Sequence, residues 1–325
     1  MPRRLHWLHQ LVVLLFAGLA PLAAASPDAE RPTVVCTVGM VADVARAVAG
    51  DRADVSTLIR PGVDPHLYKP TRSDIGRLMK ADLIFAVGLH LEGRMDDTLD
   101  RASGSGRTVV RVGDLLPRDL LLRESEANAT DPHLWMDPRL WARTTGPIAK
   151  ALSKIDPQGA ATYQANAATL AKNLDALDEW SAKRLATVPG KARVLVTAHD
   201  AFEYFGRRYG FEVVGIQGIS TESEAGVRDI DRIVDLLVNR GIPAVFVEST
   251  VPPRHIEALI AGARARGHQV TVGGELFSDA MGDAGTYEGT YPGMVDHNIT
   301  TIVRALGGEA PAKGRLGKLA EEPSE

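Results

Sequence analysis

The sequence predicts an α/β fold of two lobes, each with a mainly parallel sheet flanked by helices, joined by one long rigid helix. Two observations carry this. From Asp156 to Thr187, apolar residues recur at Tyr163, Ala167, Leu170, Leu174 and Leu177, in alternating steps of four and three. That is the stripe of an amphipathic helix. Asp156 suits its cap, Pro157 its first position, and Pro189-Gly190 its end. Such a helix runs about 45 Å, longer than a small domain is wide. Strand and helix patterns also alternate on both sides of it, as parallel sheets require. A long crossover helix within one domain is the competing reading. Candidate ligands in loops on both sides favour two lobes, at 33–155 and 191–308, with a linker over 156–188.

The elements follow in order. Residues 33–38 read as a buried strand and 41–49 as a helix stopped by Gly50. A strand over 53–59 runs into the loop Arg60 to Pro70. Thr71 can cap a helix to Lys80, with Asp74 three residues on as a partial capping box. Residues 83–87 and 108–112 read as strands, with a Gly/Ser-rich turn over 101–107. Residues 115–130 form a polar, exposed connection without histidine. Asp137 and Pro138 open a helix reaching about Lys154. After the long helix, strands are expected at 193–197, 211–217, 244–248 and 269–272. Helices are expected at 201–209 (capped by Asp200), 227–240, 252–266 and 294–306. The polar tail over 309–325 is expected to be disordered.

At 325 residues with a formal net charge of −4, the chain lacks the basic excess of a nucleic-acid binder. Residues 1–25 read as a signal peptide: Arg3-Arg4, a short apolar core, then Ala23-Ala24-Ala25 before Ser26. The apolar core is too short to span a membrane comfortably. The single cysteine, Cys36, lies well past the expected cleavage point near Ala25, so it reads as a core residue of a free exported protein rather than a lipid anchor.

One short phrase occurs twice. Asp64-Pro65-His66-Leu67-Tyr68 matches Asp131-Pro132-His133-Leu134-Trp135 at four of five positions. Proline fixes the backbone before each histidine, and the aromatic residue two places on can shield the ring. His199 follows a buried strand, where parallel sheets present ligand-binding groups. Asp279 follows a strand and a Gly-Gly turn. Three imidazoles and one carboxylate make a four-ligand set for a divalent transition metal. His90, just after a strand, is the rival ligand. His255, His268 and His297 read as solvated. Asp200, Glu203, Glu224 and Glu248 lie near the same strand ends and are candidates for orienting the histidines.

These stretches together resemble the metal-binding receptors of bacterial ABC importers for zinc and manganese. The resemblance rests on GVDPHLYKPT, GLHLEGRM, DPHLWMDP, VTAHDAFEYFGRRYG, GIQGISTESEAG and GGELFSDAMG. It implies two lobes with one Zn2+ or Mn2+ in the cleft as transported ligand, held by His66, His133, His199 and Asp279. It also implies a periplasmic monomer, not stably inserted in the membrane, delivering the ion to a permease. The histidine of the GLHLE motif is no ligand in that family, which counts against His90. Zinc-dedicated members often carry a histidine-rich loop, absent here, and many manganese-dedicated members have glutamate where His199 stands. A nitrogen-rich shell favours zinc, with a manganese receptor as the alternative. A metallohydrolase is the rival class, but no His-Glu-x-x-His cluster is present. The chain is therefore expected not to be an enzyme.

Overall fold

The computed structural model describes residues 31–124 and 129–320. The expected signal peptide and cleavage point, residues 125–128 of the connection and residues 321–325 lie outside the described residues.

The first half builds a four-stranded parallel sheet from β1 (Thr33–Cys36), β2 (Asp54–Thr57), β3 (Leu83–Ala86) and β4 (Thr108–Arg111), in the order β2-β1-β3-β4. β1 and β3 are central and apolar, and β3 is buried along its whole length. That is the pattern of strands covered on both faces. Helices α1 (Gly39–Ala49), α2 (Arg72–Lys80) and α3 (Asp96–Gly104) connect the strands. The Thr71–Asp74 capping box forms as the sequence predicts. Residues 101–104, expected as a turn, instead end α3: Leu99 and Ala102 face the core and stabilise a polar helix the composition hides. The connection expected as merely exposed carries a small antiparallel pair, β5 (Arg123–Glu124) with β6 (Ala129–Thr130). Cys36 is buried, and desolvation pushes its thiol up to about 12, as suits an inert core residue.

The helix expected after Pro138 is broken into α4 (Pro138–Trp141), a 3-10 turn and α5 (Thr145–Ile155). The long helix is α6 (Ala160–Leu185), entered through a 3-10 turn at Pro157–Gly159. Asp156 caps that turn through Gly159 N–H at 3.2 Å and also receives the Arg52 guanidinium. Tyr163, Ala167, Leu174, Leu177 and Leu185 form the buried stripe, while Leu170 is half-buried. Each fully buried leucine contributes roughly 2 kcal/mol of transfer free energy. The stripe packs on α1, α4 and α5 of the first half and on α10 of the second. Asp178, buried on α6, is ion-paired with Arg208.

After α6 come β7 (Val194–His199), α7 (Glu203–Tyr209), β8 (Glu212–Gln217), α8 (Val227–Arg240), β9 (Ala244–Glu248), α9 (Arg254–Ala265), β10 (Thr271–Leu276) and α10 (Tyr291–Ala305). β7 pairs with β8 and β9 with β10, both in parallel. One apolar cluster runs from the first sheet through α6 to α7 and α10, and a second lies among β7–β9, α8 and α9. Asp200 does not cap α7, whose preceding residue Phe202 makes no side-chain cap. Gly273-Gly274 is not a turn after β10 but an irregularity inside it. A side chain at Gly273 would strike Phe246, and Gly274, at φ 135°, lies against Thr301. The tail also departs from expectation over 309–320. Asp296 on α10 accepts from Arg315 N–H at 2.8 Å, and Leu319 is buried, so this polar stretch is fixed by backbone bonding that composition does not reveal.

Candidate metal centre

The four residues singled out in the sequence converge. One ligand-capable atom from each of His66, His133, His199 and Asp279 lies within 4.8 Å of all the others, and all four residues are buried. Asp279 sits in the middle. Its Oδ1 is 3.3 Å from His133 Nε2, and its Oδ2 is 3.4 Å from His66 Nε2 and 3.2 Å from His199 Nε2. Donors about 2 Å from one ion in a tetrahedral shell stand about 3.3 Å apart, so these spacings suit a shared cation. The rings stand 5.3–6.0 Å apart, centroid to centroid, and are steeply tilted to one another.

Each donor is aimed by its own local chemistry. Asp64 Oδ1 accepts the His66 N–H at 2.8 Å, and Asp131 Oδ1 accepts the His133 N–H at 2.9 Å. The repeated aspartate thus closes the same turn twice. Asp131 Oδ1 also lies 2.7 Å from His133 Nδ1, which turns Nε2 inward toward Asp279. His199 is the last residue of β7, not a residue beyond the strand. Glu248, ending β9, accepts its N–H at 2.8 Å and its Nδ1 at 2.5 Å. Asp279 is fixed through its neighbours. Asn298 on α10 brackets Phe277 with bonds of 2.9 and 2.7 Å, and Trp135 Nε1 donates to the Ser278 carbonyl at 2.8 Å.

The Nε2 atoms of all three histidines and both Asp279 oxygens are buried without a hydrogen-bond partner. Five orphaned polar atoms facing one point would be costly unless a cation joins them. Electrostatics agree. Burial pulls the His133 imidazolium down, but the Asp279 and Asp131 carboxylates outweigh it and hold the group at about 9. His199 is raised well above the usual range because Glu248 and Asp279 overcome its burial. Burial lifts Asp279, yet His199 and His133 hold it well below the carboxylate range.

Of the four orienting candidates, Glu248 alone bonds a ligand histidine directly. Asp131 does so too and was not singled out, although it stands two residues before His133 as Asp64 does before His66. The shielding role expected of the aromatic residues holds for Trp135, whose ring lies 5.4 Å from that of His133. Tyr68 instead gives its hydroxyl to Asp74 at 2.7 Å. His90 stays outside the site, its side chain 89% exposed and 3.3 Å from Asp96. His268 and His297, expected to be solvated, sit half-buried against the carbonyls of Ile242 and Glu275, each filling an acceptor left by a strand or its approach. His255 is half-buried beside Glu224.

A buried donor set closed by three imidazoles and a carboxylate, carried on parallel α/β sheets about a long helix, defines a solute-binding receptor for a cation. The chain belongs to the family described as zinc-uptake complex component A, periplasmic, whose model matches residues 34–305. The manganese-binding lipoprotein MntA of Bacillus subtilis is 44% identical over 301 residues, covering 91% of this chain and 98% of that protein. The zinc-binding protein TroA of Treponema pallidum is 46% identical over 276 residues, covering 85% and 89%. The solved structure of that periplasmic zinc-binding protein matches with a TM-score of 0.83, over 85% of this chain and 99% of that one. This family consists of solute-binding components of uptake systems rather than enzymes.

Proposed function

We propose that the protein is the periplasmic receptor of an ABC importer for a divalent transition metal, binding one ion through His66, His133, His199 and Asp279. The observation that carries this is the set of five partnerless buried atoms converging on one point. Zinc is the first candidate, because three imidazoles make a nitrogen-rich shell. Relatives bearing the names zinc-binding TroA and manganese-binding MntA support both ions. One observation favours the manganese reading: both Asp279 oxygens face ring nitrogens, which allows a five-donor shell with more oxygen.

The ion passes to a membrane permease, and the receptor acts as a monomer. The lobes are 33–155 and 191–308, with 156–188 as the linker. The run Ala23-Ala24-Ala25-Ser26 supports signal-peptide cleavage near Ala25. Among the described residues no helix is long and apolar enough to cross a membrane.

Competitive titration of metal-free protein with zinc and manganese at neutral pH, followed by tryptophan fluorescence, tests this reading. One tightly held equivalent, with zinc ahead by orders of magnitude, supports a zinc receptor. Equal affinities, or manganese ahead, support the second reading. Failure to retain either ion would sink both.

A further inference from the structure

We propose that Thr221 is a positioning residue that keeps the metal cleft shut, so that it sets how long an ion stays bound. The proposal rests on the receptor reading above. It comes from one carboxylate with two tasks. Asp64 Oδ1 accepts the backbone N–H of His66, and Asp64 Oδ2 accepts the Thr221 hydroxyl at 2.5 Å. The two partners come from opposite sides of the long helix: Asp64 and Thr221 are 157 residues apart. The loop carrying His66 is therefore tied directly to the loop over 218–226.

The second loop is itself anchored to the site. Gln217 ends β8, in register with His199 on β7. Its side-chain amide donates to the Ser223 carbonyl at 3.0 Å and reaches that of Thr221 at 3.5 Å. A continuous protein path thus runs from His199 through Gln217, Thr221 and Asp64 to His66, joining ligands from the two halves. The neighbouring Arg94–Glu222 pair at 2.9 Å also crosses between the halves, but its side chains are 38% and 50% exposed. Ion pairs so exposed hold little. Thr221 is buried, and its acceptor is charged, so its bond is the stronger tie. An ion leaving through separation of these loops must break it. Capture does not require it, because the bond forms only once the loops have met. Thr221 therefore acts on release and not on capture, and it touches none of the four ligands' donor atoms.

The test is stopped-flow transfer of zinc from loaded full-length protein to a chromogenic chelator, with capture rates measured separately. Thr221→Val keeps the shape and removes the hydroxyl, and Thr221→Ser restores it. Thr221→Val should release zinc about tenfold faster, the scale of one lost bond to a charged acceptor. Its capture rate should stay within about twofold of wild type, and Thr221→Ser should release zinc at close to the wild-type rate. If Thr221→Val fails to fold, Thr221→Ala carries the same readout. Unchanged release from a variant that binds zinc overturns the proposal alone. Slowed capture with lower thermal stability of the metal-free protein, or no rescue by serine, assigns Thr221 a merely structural role and also overturns it. Wild-type protein that takes up neither zinc nor manganese overturns the receptor reading and this proposal with it.

Discussion

Trp135 and Ser278 join the two sides of the candidate metal centre: the indole Nε1 donates to the Ser278 carbonyl at 2.8 Å across 143 residues of chain. Trp135 stands two residues after His133, and Ser278 immediately precedes Asp279. One bond thus couples the placement of an imidazole donor to that of the carboxylate. Tyr291 holds the other end, its hydroxyl donating to the Trp135 carbonyl at 2.7 Å. Trp135→Phe keeps an aromatic ring beside His133 but leaves a buried carbonyl unpaired. Isothermal titration should show metal affinity weakened about tenfold, in line with 1–2 kcal/mol for such a loss. An unchanged affinity would mean that Asn298 alone fixes the Asp279 approach.

The ligand assignment separates residues that look alike in sequence. His66→Ala and His133→Ala each remove an inward-facing donor, and each should weaken zinc binding by more than about a hundredfold, beyond what loss of an outer partner costs. His90→Ala, at an exposed position outside the cluster, should leave affinity unchanged. Equal losses in all three, read by chelator competition, would show the donor set to be misassigned.

The site was legible in the sequence because its parts sit at strand ends and in a repeated phrase, both of which mark ligand-bearing loops without any knowledge of packing. The fold was legible where apolar period and capping coincide, as at Thr71–Asp74 and along the buried face of α6. The misses share a cause. Helix α3 and the tail over 309–320 are polar and owe their order to tertiary partners such as Asp296, which no local pattern exposes. Gly273-Gly274 imitates a turn because glycine is needed there for a different reason, the close approach of Phe246 and Thr301. Asp131 carries no sequence signal of its own as a ring partner, because closing the turn before His133 is local while its bond to Nδ1 depends on the folded ring orientation.

Glu248 grips His199 at both its backbone and its ring. Glu248→Gln preserves shape but removes the charge that makes Nε2 a better donor to metal. A loss of about ten- to a hundredfold in affinity is expected, the range for outer partners of ligating histidines. Chelator competition on folded variant protein checks it, and a loss under twofold would contradict the orienting role.

Metal uptake should release protons at neutral pH. In the metal-free protein His133 is held at about 9 against an ordinary 6.5. It therefore stays charged at pH 7, and the ion must displace its proton. Affinity should rise with pH towards about 9, by up to about tenfold per unit for each proton displaced. The sign for stability is the opposite. A raised histidine stabilises the metal-free fold fully below pH 6.5 and loses that contribution as pH climbs through about 9. Calorimetry of zinc binding in buffers of different ionisation enthalpy counts the protons, and a count of zero at pH 7 would contradict the charge arrangement.

On the proposed function, three imidazoles and one carboxylate hold the ion. X-ray absorption on zinc-loaded protein tests it most directly. Multiple scattering from three imidazoles is expected, with zinc–nitrogen distances of about 2.0–2.1 Å and carboxylate oxygen completing the shell. In His133→Ala the imidazole count should fall by one. A shell of oxygens with fewer than two imidazoles in the wild-type protein, or an unchanged count in the variant, would contradict it.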